Sequence, residues 1–122
     1  WMASGEPVRA IMGDLAFLHD AMSMGRGLRE AEADFQAIVV DDGGGAIFSR
    51  LEYAHTAESQ RFERLFTTPQ CANISELAAA LGARVCIPED VPALQTLLAE
   101  PVGGLSVVIW TVEGCMPNAR TT

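Results

Sequence analysis

The chain has 122 residues, which suits one domain with a single modest core and is too short for two. Apolar residues make up 49% and charged residues 20%, a globular composition that excludes a disordered chain. The formal charge of −8, from 16 acidic and 8 basic side chains, argues against binding nucleic acid or anionic lipid, both of which reward clustered Lys and Arg.

No apolar run approaches the ~18 residues that span a bilayer. The longest strongly apolar stretch, 105–110, is of strand length. No signal-peptide pattern opens the chain, so a cytoplasmic location without membrane insertion is expected. Cys71, Cys86 and Cys115 are odd in number and lack CxxC spacing, which suggests ordinary thiols in a reducing compartment rather than a disulfide framework or a zinc site. Because the sequence opens Trp1-Met2, it is expected to be cut from a longer polypeptide.

Residues 8–12 predict a short buried strand, ended by Gly13-Asp14. A helical turn or two is expected within 15–24, broken by Gly25-Arg26-Gly27. An acidic connector (Glu30, Glu32, Asp34) leads to a second strand at 35–40, followed at once by Asp41-Asp42-Gly43-Gly44-Gly45. Apolar residues return over 46–51, a polar loop is expected at 53–61 and a helical turn at 62–66, stopped by Thr67-Thr68-Pro69.

Asn73 is placed to cap a helix, with Glu76 completing a capping-box pattern. Ile74, Leu77, Ala78 and Leu81 share one face, and Gly82 closes the helix. A third strand is expected at 84–87. Pro88-Glu89-Asp90 opens another helix, with an apolar face of Val91, Leu94, Leu97 and Leu98. Residues 101–104 end it, and 105–112 form the fourth strand. Strands alternating with helices imply right-handed crossovers and an α/β fold: an open, mostly parallel sheet with helices on both faces. Residues 1–113 are expected to form the domain and 114–122 a frayed tail.

Ligands of open parallel sheets sit beyond the carboxyl ends of the strands. Here the first strand delivers Gly13-Asp14, and the second delivers Asp41-Asp42 with three glycines. Asp14 and Asp42 lie 28 positions apart, about one βαβ unit, so neighbouring parallel strands would bring both carboxylates to one rim. Two carboxylates and a backbone carbonyl are hard oxygen donors of the kind Mg²⁺ prefers, the rest of its six ligands coming from phosphate and water. Glycines let the main chain approach such a ligand. Taken alone, Gly-Asp reads as a turn and Asp-Gly-Gly-Gly as a flexible loop; their spacing after two strands is what points to metal.

These residues resemble the metal–diphosphate motif of thiamine diphosphate-dependent enzymes, a Gly-Asp followed by an Asn pair. Three longer strings are more specific: Met12 to Asp20, Gly44 to Ser49, and Phe62 to Gln70. They are similar to the C-terminal, diphosphate-binding domain of the 2-succinyl-5-enolpyruvyl-6-hydroxy-3-cyclohexene-1-carboxylate synthases of menaquinone biosynthesis, and the similarity runs from about residue 6 to about residue 112.

The resemblance implies that Asp14 and Asp42 ligate Mg²⁺ through side-chain oxygens and Gly44 through its carbonyl. Amides around Gly13 and Leu15 would help hold the diphosphate, Gly45 would belong to the cofactor-binding turn, and Ile47, Phe48 and Leu51 would line the thiazolium and substrate pocket. The sequence departs from the pattern in three places: Asp41-Asp42 replaces the Asn pair, Gly43 a polar residue, and Ala46 a Gly. An aspartate in place of asparagine keeps an oxygen ligand and adds charge beside a diphosphate.

The implied reaction is a transferase reaction, in which 2-oxoglutarate is decarboxylated on the cofactor and the resulting carbanion adds to isochorismate. In such homo-oligomeric enzymes the glutamate that activates the aminopyrimidine and the arginines for substrate carboxylates come from other segments. No catalytic residue is therefore assigned within this chain, and the chain alone is expected to be inactive. Two alternatives stay open: a piece of another thiamine enzyme, such as an acetohydroxyacid synthase relative, and a non-catalytic α/β binding module. The two histidines, His19 and His55, are expected to be a structural and a solvated histidine. Trp110 is expected in the core or at an interface.

Overall fold

The computed structural model describes residues 4–45, 61, 64–65 and 68–112. In chain order these form β1 (Val8–Gly13), α1 (Asp14–Asp20) running into a 3-10 turn (Ala21–Met24), β2 (Phe35–Asp41), α2 (Ile74–Ala80), β3 (Arg84–Cys86), α3 (Val91–Ala99) and β4 (Leu105–Thr111). The strands make one open, wholly parallel sheet in the order β1-β2-β4-β3.

β2 and β4 are rich in β-branched residues and buried through most of their length, as expected of central strands covered on both faces. Asn73 starts α2 as expected, its side chain accepting from the amides of Ser75 and Glu76. Gly82, at φ +86°, follows its end. Asp90 caps α3 in the same way, accepting from the amide of Ala93 at 2.7 Å.

The order of the strands decides where the helices go. From β1 to β2 and from β2 to β3 the chain steps across the sheet in one direction; from β3 to β4 it steps back. Right-handed crossovers then put α1 and α2 on one face and α3 on the other. Packing agrees on the first face, where Phe17, Ile74 and Ala78 close over Ala37, Val39, Val107 and Ile109. On the second face a polar row crosses three strands. Arg9 Nε donates to Gln36 Oε1 (3.0 Å) and Gln36 Nε2 donates to Ser106 Oγ (3.2 Å). Arg9 Nη2 also donates to the carbonyl of Glu100 (2.6 Å), just past the end of α3, and ties that helix to the sheet.

Three expectations are corrected. Among the described residues β1 is an edge strand rather than a buried one, with a neighbour on one side only, and it extends to Gly13; its residues alternate between half-buried and exposed, and Ile11 is 75% exposed. β3 stops at Cys86, leaving Ile87 exposed. Val91, expected on the apolar face of α3, is exposed at the first turn, while Leu94, Leu97 and Leu98 are half-buried. The apolar stretch at 46–51, most of the expected loop at 53–61 and turn at 62–66, and the tail at 114–122 lie outside the described residues.

Candidate functional site

The sheet register builds the site. Gly13, the last residue of β1, pairs with Val40 of β2. The next residue on each strand is an aspartate, so Asp14 and Asp41 emerge side by side at the carboxyl rim, with Asp42 one step beyond. Asp14 opens α1 directly, without a connecting loop. Asp14 is only 3% exposed, and its carboxylate accepts from the amide of Leu15 at 2.8 Å.

β2 then breaks into the glycine turn. The amide of Gly43 donates to Asp41 Oδ1 (3.1 Å) and the amide of Gly44 to Asp42 Oδ1 (3.2 Å). Gly43 has φ +84° and Gly44 φ +139°, backbone that L side chains adopt only at a cost. Asp41 is anchored from its other end as well, because its carbonyl accepts from the amide of Val112 at 2.9 Å. Gly44 and Gly45 are buried.

Electrostatics make this rim unfavourable for so much negative charge. Burial pushes the pKa of Asp14 up from 3.8 to about 6; the neighbouring Asp42 and Asp41 carboxylates push the same way, against the pull of the Leu15 amide. A hydrogen bond between the Asp14 and Asp41 side chains favours the protonated form further. A cation at this rim would oppose these upward pushes and favour the ionised carboxylates.

The donors present suit Mg²⁺: carboxylate oxygens from two adjacent strands, and a turn whose backbone is free of side chains at Gly43, Gly44 and Gly45. Among the described residues no set of three or more His, Cys, Asp or Glu side chains is placed to hold a metal ion. Two carboxylates and a backbone carbonyl do not require such a set. Asp42 has one carboxylate oxygen engaged by Gly44.

Of the residues singled out from the sequence, Gly13, Asp14 and Leu15 lie where β1 runs into α1, and Asp42, Gly44 and Gly45 lie in the turn that follows the adjacent end of β2. Ile47, Phe48 and Leu51 lie outside the described residues. His19 is exposed on the last turn of α1. Sequence reasoning gave Asp41 no role of its own, yet it is 4% exposed and sits beside Asp14. The signal was its parity: Ala37, Val39 and Asp41 alternate along β2 onto one face, and Ala37 and Val39 pack against α1 and α2 there.

No protein-family model matches the chain. Curated relatives do. The chain is 39% identical over 102 residues to the 2-succinyl-5-enolpyruvyl-6-hydroxy-3-cyclohexene-1-carboxylate synthase of Arthrobacter sp. (strain FB24), covering 80% of this chain and 17% of that protein. It is 38% identical over 98 residues to the synthase of the same name from Nocardioides sp. (strain ATCC BAA-499 / JS614), covering 80% and 18%. With that of Kineococcus radiotolerans it shares 40% over 103 residues, covering 84% and 18%. The chain thus spans less than a fifth of the length of these relatives.

Proposed function

Since this chain belongs to the 2-succinyl-5-enolpyruvyl-6-hydroxy-3-cyclohexene-1-carboxylate synthase family, matching a stretch less than a fifth as long as its curated members, we propose that it is the part of such an enzyme that anchors the Mg²⁺-diphosphate of thiamine diphosphate. Asp14 would ligate through its carboxylate, Asp42 through the oxygen not bonded to the Gly44 amide, and Gly44 through its carbonyl. Gly13, Leu15 and Gly45 would flank the diphosphate, and Ile47, Phe48 and Leu51 would line the pocket beyond. When bound, the cofactor supplies the chemistry of 2-oxoacid decarboxylation and carbon–carbon bond formation, here between 2-oxoglutarate and isochorismate.

The chain's own residues bind and orient. The buried Asp14 gives a cation a fixed partner at the head of α1, and the glycine turn leaves room for main chain to approach an anion. The groups that activate the cofactor and grip the substrate carboxylates are assigned to other segments and to the partner subunit of a homo-oligomer, so the isolated chain is expected to have no synthase activity.

The observation that carries this proposal is the meeting of Asp14 and Asp42 on one rim in a chain so similar to these synthases. Calorimetric titration with thiamine diphosphate, with and without Mg²⁺, tests it. Binding that requires both Mg²⁺ and Asp14 is expected. Absence of cofactor binding under any metal condition would favour a non-catalytic module. Turnover of 2-oxoglutarate and isochorismate by the isolated chain would overturn the assignment of catalytic groups elsewhere.

A further inference from the structure

We draw no further inference here: the strongest candidate, the open outer edge of β1 with Ile11 exposed beside the buried Ile38, is an apolar surface for which nothing in the structure shows what covers it.

Discussion

The carboxyl groups of Asp14 and Asp41 come within hydrogen-bonding reach of one another across the seam between β1 and β2. Both are almost wholly shielded from water, and a third carboxylate, that of Asp42, acts on Asp14 from the following residue of the same turn. Carboxylates brought together in this way either share a proton or share a cation, because full ionisation leaves like charges facing each other in a poorly solvated place. The sheet fixes this meeting through the pairing of Gly13 with Val40, so neither strand can relieve it by sliding.

Stability without metal is expected to depend on pH in an unusual direction. Asp14 titrates near 3.8 in the unfolded chain and near 6 in the folded one. Between those values the folded state holds a proton that the unfolded state has lost, so stability falls as pH rises through the window. At about 1.4 kcal/mol per pKa unit the loss is roughly 3 kcal/mol by pH 7. Urea unfolding in EDTA from pH 4 to 7 measures it. Asp14→Asn should flatten the profile and be the more stable form at pH 7; an unchanged slope in that variant would locate the effect elsewhere.

Mg²⁺ should reverse the same trend. Saturating Mg²⁺ is expected to raise the melting temperature at pH 7 and to draw the pKa of Asp14 down, readable as a carboxyl chemical shift in a pH titration. Asp42→Asn retains an oxygen donor, so Mg²⁺-dependent cofactor binding should survive it. One charge fewer near a diphosphate relieves on the order of 1 kcal/mol, so metal-free thiamine diphosphate should bind the variant roughly five- to tenfold better. Complete loss of binding in a calorimetric titration of Asp42→Asn would contradict this account of the ligand.

Gly13 and Gly43 separate the needs of the fold from those of a ligand. A Cβ at either position meets no atom within 4 Å. Gly43 nevertheless has φ +84°, so Gly43→Ala should cost about 1–2 kcal/mol through backbone strain alone. Gly13 has φ −76°, where alanine is comfortable, and Gly13→Ala should be neutral or stabilise by about 0.5 kcal/mol. If Gly13→Ala folds at full stability yet loses Mg²⁺-dependent cofactor binding, the glycine serves the close approach of a ligand. Unchanged binding would remove Gly13 from the site.

Much of this was legible in the sequence because the signals were local. The β-branched runs of β2 and β4 and the caps Asn73 and Asp90 depend on neighbours within a few residues. Ile11 was misjudged because an apolar run does not say whether its strand lies at the centre or the edge of a sheet; only the order β1-β2-β4-β3 does. Asp41 was given no role of its own for a related reason. Its burial follows from which face of β2 carries α1, a tertiary fact that strand alternation could have suggested but not decided.

The polar row on the second face offers a test far from the rim. Gln36 and Ser106 are buried and bonded to each other, and Gln36 also holds Arg9, which reaches Glu100. Ser106→Ala would leave the Gln36 amide nitrogen without its acceptor, at a cost of about 1–3 kcal/mol. Gln36→Leu should cost a similar amount and also free Arg9 and the end of α3. Removing both polar groups together leaves fewer of them stranded, so the double variant should be more stable than the sum of the single losses implies, by about 1 kcal/mol or more. Equilibrium unfolding of the four proteins in this cycle measures the coupling, and strictly additive losses would show that the two side chains do not act as a pair. Hydrogen exchange adds the directional check: amides at the end of α3 should exchange faster in Gln36→Leu than in Ser106→Ala, since only the former releases the Arg9 side chain.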